Sequence, residues 1–379
     1  MNWIKKTLFL LIGAGFALGV AIAALEAVFG DWFKHDKWLV TQQLNLIRNQ
    51  KILFTTDNLQ GVETPTALYT RDMFGLRGSC LNPKEIDIVT IGGSTTDQRY
   101  IGDGQTWQDI LQQELRAETN QPICVSNAGI DGHSTFGHLA AFNHWFPLLP
   151  GFKPRLYVLY IGINDAMIRL TPMPGRDTST APPPEPSGIK EKIKQNSAIY
   201  QLLLFADQQR QAAAIKPAYA GHKKFPPRDS DYNATGKTAG VDSLIEQNTR
   251  LFSERLSLLL DKIQAAGGQA VCVTQPHLFV AERHGKLVGT GPGTFQFDGK
   301  TYNGFDYAAS IASLNRAMQT LCPARNGYYL DMASKEFAIE DFYDGMHNTP
   351  RGAARLGRYL FEEFKRQGMI PPLLKKNAG

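Results

Sequence analysis

The chain has 379 residues, 43% hydrophobic and 20% charged, with a formal net charge of +5. That balance describes a globular protein with enough apolar residues for a large core, and it excludes an intrinsically disordered one. Lys and Arg are spread along the chain with no dense basic block between aromatics, which argues against a nucleic-acid partner. No period of repetition marks a solenoid.

Near the N-terminus, Lys5 and Lys6 precede Thr7–Leu25, nineteen residues without a charge. That is about the shortest run that crosses a hydrocarbon core as a helix. The lysines keep its first end in the cytoplasm and send everything after Glu26 outward. Residues 1–30 are therefore expected to be a signal anchor, a single transmembrane helix of the inner (cytoplasmic) membrane, with the folded part periplasmic or extracellular. The competing reading is a secreted protein whose signal is cleaved at Ala21-Ile22-Ala23. The length of the apolar run and Gly15-x-x-x-Gly19, a spacing suited to helix packing in lipid, favour the anchor.

Residues 31–70 mix aromatic, polar and basic types, with a loose helical pattern as far as about Gly61, and read as a membrane-proximal stalk. Tyr69–Gly78 reads as a loop folded against the domain that follows. From 71 to 370 the pattern becomes a regular α/β alternation. An apolar, β-branched run, Ile86–Ile91, stops at Gly92-Gly93-Ser94. Helix is expected over Thr106–Glu118, Thr135–Leu149, Val241–Ala266, Tyr307–Leu321 and Pro350–Gln367. Strands are expected over Ile123–Asn127, Arg155–Ile161, Gln269–Thr274 and Tyr328–Met332. Five strands separated by helices predict a parallel three-layer sandwich. Residues 171–240, rich in Pro, Lys, Ser and Gly and holding a helical island at Ile199–Gln208, break the rhythm. They leave directly after Asn164, so they read as an insertion that overhangs the carboxyl edge of the sheet as a lid or binding wall, or as a surface loop with no role. Residues 371–379 read as a tail.

The carboxyl ends of the strands carry the chemistry, because ligands of open α/β sheets bind there. Ser94 follows the first strand, Asn127-Ala128-Gly129 closes the second, and Gly162-Ile163-Asn164-Asp165 closes the third. Asp344-Gly345-Met346-His347 lies just before the last helix, a spacing that lets a short turn hold a carboxylate against an imidazole. A serine hydroxyl needs a base to become a nucleophile, and imidazole is the natural base near neutral pH. The carboxylate fixes the imidazole tautomer and stabilises its cation. Donors for a developing oxyanion are then sought in the backbone N–H groups of Ser94 and Gly129 and the Asn164 side-chain amide.

These four blocks, in this order, resemble the SGNH (GDSL-like) hydrolase family, over roughly Asp72 to Phe364 apart from the insertion. One departure stands out: Gly93 and Thr95 flank the serine, where the family's common block has aspartate before it and leucine or isoleucine after it. The resemblance implies a flavodoxin-like sandwich and ester hydrolysis with no metal and no cofactor. It implies Ser94, His347 and Asp344 as catalytic residues, with Ser94, Gly129 and Asn164 at the oxyanion. Family members act on lipids, thioesters and acetylated sugars. An export signal and an overhanging insertion point to an acylated glycan of the cell envelope or exterior as the substrate. An O-acyltransferase using the same triad, and a catalytically idle glycan-binding or assembly protein, are the rival functions.

Other polar residues have blander readings. His133, His138 and His144 match no usual zinc spacing and read as surface or groove residues. Asp165 reads as a turn and network residue, and Arg71 and Arg99 as solvated surface rather than a site for an anionic sugar. Of the four cysteines, Cys80 and Cys124 are the most natural pair, both lying near starts of neighbouring strands. Cys272, in mid-strand, also suits a buried free thiol.

Overall fold

A computed structural model describes residues 2–30, 32, 44–173, 177, 188–221 and 224–374. Five short apolar runs form a parallel sheet in the spatial order Val125–Asn127, Ile88–Gly92, Leu156–Tyr160, Gln269–Val273, Tyr328–Leu330. Counted along the chain this is the order 2-1-3-4-5, the flavodoxin-like arrangement. Side chains alternate between the two faces of the sheet. Ile88, Val158, Val271 and Leu330 face one apolar cluster with Trp107, Leu111, Leu356 and Phe364. These come from helices Trp107–Thr119 and Pro350–Arg366. Val89, Ile91, Leu159 and Cys272 face the other, with Leu139, Phe252, Leu256, Ile311 and Leu314. Those belong to helices Thr135–His144, Val241–Ala265 and Gly304–Leu321. The result is the expected α/β/α sandwich.

Local chemistry sets the helix starts. The Thr106 hydroxyl and the Asp109 carboxylate cap one another's backbone N–H groups ahead of Trp107–Thr119. Asn303 and Asp306 do the same for Gly304–Leu321. Thr349 caps Pro350–Arg366, with Pro350 at the first position, where its missing N–H costs nothing.

The periphery departs from the sequence reading. Gln50–Thr55, expected within a loosely helical stalk, is a strand between Thr66–Arg71, antiparallel, and Ile215–Tyr219, parallel. Its partners lie far away in sequence, so local periodicity does not reveal it; residues 33–43 of the expected stalk lie outside the described residues. Thr66–Arg71 covers the start of the expected Tyr69–Gly78 loop and turns Ala67, Tyr69 and Arg71 inward. Between Pro276 and Asn303 the chain makes short antiparallel strands, Val280–Arg283 with Lys286–Thr290 and Phe295–Phe297 with Lys300–Tyr302, that the α/β pattern did not announce. The helical island of the expected insertion is longer than read, Ala198–Ala213, and is preceded by Ile189–Asn196; the Pro182–Pro186 run lies outside the described residues. At the C-terminus Ile370–Leu374 is a short helix with Leu373 buried, so the expected tail packs at least this far.

The N-terminal helix is Asn2–Phe29, and its Lys5–Phe29 portion is long and apolar enough to cross a membrane, with none of it buried in the protein. Its length and composition fit a membrane anchor or a signal sequence. Near its end, Glu26 accepts hydrogen bonds from Ser197 Oγ (2.6 Å) and the Ala198 N–H (2.8 Å), capping the helix that starts at Ala198.

Two disulfides join the cysteines. Cys80–Cys124, with Cα atoms 5.9 Å apart, ties the segment before the first strand to the start of the second. Cys272–Cys322, at 6.3 Å, ties the fourth strand to the end of the helix packed on it. Cys272 is therefore not a free thiol: its side chain points at the very helix end that carries Cys322.

Candidate active site

Strand Ile88–Gly92 runs into the four-residue turn Ser94–Asp97, with Gly93 at its N-cap. Gly93 is required sterically, because a Cβ there would fall on the Asn164 amide. Ser94 is half-buried at this edge, and its N–H, the first of the turn, has no partner among the described residues. Across the edge, Asp344 and His347 sit on the turn before the last helix. Ser94 Oγ lies 2.7 Å from His347 Nε2, and His347 Nδ1 lies 2.7 Å from Asp344 Oδ2. An ionised carboxylate can only accept, so Nδ1 carries the proton and Nε2 is left to accept from the serine hydroxyl. The other carboxylate oxygen, Asp344 Oδ1, accepts from the N–H groups of Met346 (2.9 Å) and His347 (2.8 Å). Burial alone would raise the Asp344 carboxyl. The His347 imidazole and these hydrogen bonds outweigh burial and hold it well below the usual carboxylate range.

Asp341, three residues earlier, does not join them. It is fully buried and faces Arg351 (3.2 Å) and Arg355 (2.9 Å) of the last helix. Lys224, from the expected insertion, does reach the group. Its ammonium is 3.6 Å from Asp344 Oδ2 and lies over the rings of Tyr100 (5.7 Å) and Tyr343 (5.5 Å). The Tyr343 ring stacks on the His347 imidazole at 5.4 Å. The sequence reading missed Lys224 because nothing local marks it; only the fold brings the segment to Asp344.

The loops after the second and third strands close the remaining side. Asn164 donates one amide N–H to the His133 carbonyl (2.9 Å) and keeps a second. Gly129 is placed differently from expectation. Its N–H is donated to Asn127 Oδ1 (2.8 Å), and a Cβ there would strike the Asp97 backbone. It is thus a packing residue under the serine turn rather than a free donor. Three residues on, Gly132 has φ +80°, and its N–H has no partner among the described residues. The carbonyl of the next residue, His133, is the one that holds Asn164.

Behind the serine turn lies a buried charged network. Arg71, 4% exposed, pairs with Asp97 and also donates to the carbonyls of Gly75 (2.9 Å), Asn127 (3.1 Å) and Gly129 (2.5 Å). Arg77 donates to the carbonyls of Asp97 and Gln98, both at 2.8 Å. Arg99 reaches Asp97 at 3.2 Å and Asp131 at 3.4 Å. Burial would raise the Asp97 carboxyl, but these three guanidinium groups lower it further. Arg71 is thus no solvated surface residue, and Arg99 is only partly exposed. Gln275 Nε2 donates to Thr95 Oγ1 (2.7 Å), and its Oε1 accepts from the Ile163 N–H (2.9 Å), joining the first and third blocks.

His133 and His138 are buried rather than on the surface, and burial lowers both imidazoles. Asp165 is a buried network residue, as read: it accepts from Thr135 and pairs with Arg255 at 3.4 Å. Among the described residues, no group of three or more His, Cys, Asp or Glu is arranged to hold a metal ion.

Similar solved structures include a catalytic mutant of Axe2, an acetylxylan esterase from Geobacillus stearothermophilus. It is 12% identical, with 73% of this chain and 92% of that one covered, at a TM-score of 0.40. A lipase/acylhydrolase from Enterococcus faecalis is 15% identical, with 74% and 97% covered, at a TM-score of 0.39. No curated protein matches the sequence. The profile of the GDSL-like Lipase/Acylhydrolase family matches residues 90–355, more than half of the chain and all four blocks. The chain therefore belongs to that family and is a serine ester hydrolase.

Proposed function

We propose that this is a membrane-anchored serine esterase that removes acyl groups, acetyl above all, from a polysaccharide of the cell envelope or exterior. The observation that carries the chemistry is the continuous Ser94–His347–Asp344 chain, with 2.7 Å at each link. Ser94 Oγ attacks the ester carbonyl as His347 Nε2 takes its proton. The imidazolium, held by Asp344, then protonates the departing sugar oxygen. Water repeats the sequence on the acyl-enzyme and releases the acid. The oxyanion of each tetrahedral intermediate is met by the Ser94 N–H, the free amide N–H of Asn164 and the Gly132 N–H. Gly132 replaces Gly129 here because the Gly129 N–H is already bonded to Asn127. The apolar Lys5–Phe29 helix with Lys5 and Lys6 at its start supports an anchor with the N-terminus inside and the catalytic domain outside.

The test is one assay with p-nitrophenyl esters of short and long acids and O-acetylated glycans in parallel. Turnover of short esters and acetylated glycans supports the reading, and long-chain esters alone would replace it with a lipase. An acceptor sugar added to the same assay reveals transfer if the acyl group leaves on the sugar instead of on water. A reporter active only outside the cytoplasm, fused after Gly379, should work and should fail when Thr7–Leu25 is deleted. A mature N-terminus at Ala24 would establish signal cleavage in place of the anchor.

A further inference from the structure

Beside the Asp344–His347 turn lies a groove of about 380 Å³, within the size range of small-molecule sites. One wall is the 225–233 segment of the expected insertion, and the other is the loop between strands Lys286–Thr290 and Phe295–Phe297. Gly345, between Asp344 and His347, forms its inner end, packed against the Phe279 ring so closely that a Cβ would lie 2.7 Å from it.

The lining mixes two kinds of surface. Phe225, 40% exposed, and the partly buried Phe279 supply aromatic surface. Between them stand the Asp231 carboxylate, the exposed Asn233 amide and the hydroxyls of Thr290 and Thr294, which lie 2.8 Å apart. The Arg228 guanidinium is engaged over the Phe225 ring (5.0 Å) and with Asp231 (3.5 Å). A long acyl chain needs a continuous apolar wall, and this one is interrupted by four polar side chains. An anionic ligand would meet the Asp231 carboxylate. A sugar ring fits both surfaces, with its C–H face on an aromatic ring and its hydroxyls on the carboxylate, amide and hydroxyl groups.

We propose that this groove is the carbohydrate subsite of the enzyme and holds the sugar residues next to the ester that Ser94 attacks. The proposal rests on the esterase reading above and adds where the glycan sits. It makes the inserted segment a specificity element.

The test uses the full chain in detergent with two substrate sets: p-nitrophenyl acetate, and a panel of O-acetylated cello-, xylo- and chito-oligosaccharides. Phe225→Ala and Asn233→Ala should each lower the ratio of glycan-ester to aryl-ester kcat/KM by about tenfold, mainly through a higher glycan KM, equivalent to about 1.4 kcal/mol. Phe225→Trp should preserve the ratio. Both side chains are exposed enough for the variants to fold, and thermal unfolding checks this. An unchanged ratio in both Ala variants overturns the proposal, as does a parallel fall for both substrate sets. So does a parent enzyme that turns over p-nitrophenyl acetate and no member of the panel. Failure of the esterase reading itself looks different: neither substrate set is turned over, and Ser94 takes no fluorophosphonate label.

Discussion

The two halves of the site are held in opposite ways. The Ser94 turn is fixed from a distance: Arg71 and Arg77 come from before the first strand, Asn127 from the second strand, Gln275 from after the fourth. The Asp344–His347 turn is held mostly by itself. One carboxylate oxygen ties down two backbone N–H groups and the other orients the ring, all within four residues. The proposed nucleophile thus depends on the whole sheet edge, whereas the proposed base and its carboxylate arrive as a prebuilt unit that needs only to be docked against it. Damage to the first half should spread into folding, and damage to the second should stay in the chemistry.

The largest effects test the chemistry common to both halves. Ser94→Ala should abolish covalent labelling by a fluorophosphonate and lower kcat by several orders of magnitude with the unfolding temperature preserved. Asp344→Asn, in the self-contained half, should cost about 10⁴ in kcat by presenting the wrong tautomer to Ser94, again with the fold intact. Persistent turnover by folded Ser94→Ala protein would sink the nucleophile assignment.

Stability separates the halves more sharply. Arg71→Met leaves Asp97 buried without its closest cation, and breaking such a pair costs about 3–5 kcal/mol. A large fall in unfolding temperature is expected, together with lost activity as the turn beneath Ser94 relaxes. If Arg71→Met unfolds like the parent while Asp344→Asn is destabilised, the contrast is inverted and the comparison fails.

The same contrast decides what the sequence could reveal. The five core strands are short, apolar and separated from one another by helices, so periodicity alone brings them out. The Asp344–His347 block is legible because its geometry is local and an i, i+3 spacing contains it. Arg71 was misread because its burial depends on Thr66–Arg71 being a strand, which depends in turn on Gln50–Thr55 and a partner beginning at Ile215. The Gly129 expectation fails for a related reason: no local pattern shows the Asn127 side chain folding back onto the Gly129 N–H, which leaves the Gly132 N–H, in the same loop, as the one without a partner among the described residues.

A smaller effect tests the oxyanion side. Asn164→Ala removes one donor that matters most in the transition state, so kcat should fall about a hundredfold to a thousandfold while KM moves little. Because Asn164 also holds the His133 carbonyl, a modest loss of stability should accompany it. A rise in KM at unchanged kcat would make Asn164 a substrate-binding residue and move the oxyanion hole elsewhere.

The smallest effect concerns a long-range ion pair that the prebuilt half makes. Lys224 lies 3.6 Å from Asp344 Oδ2. The groups facing the His347 ring are the Ser94 hydroxyl, the Asp344 carboxylate and the stacked Tyr343, whose hydroxyl burial pushes well above its usual range and so keeps neutral. Arg99 and Asp131, a mutually paired couple, also act on the Tyr343 hydroxyl, while Lys224 rests on the Tyr343 and Tyr100 rings. Lys224 is thus a cation that the expected insertion brings to the carboxylate of the Asp–His pair. Its charge competes with the imidazolium that forms beside Asp344 as Ser94 attacks, so removing it should favour that cation in the transition state. In Lys224→Met kcat should rise by about threefold at low salt, the size of a water-screened charge just beyond contact. The gain should shrink at high salt. Asp344 is ionised, since its carboxyl is held low by His347 and two backbone N–H groups. Lys224→Arg should restore the parent rate. If Lys224→Met instead lowers kcat equally at every salt concentration, the lysine only packs the inserted segment against Asp344, and the His347 half is electrostatically as independent as its local hydrogen bonds suggest.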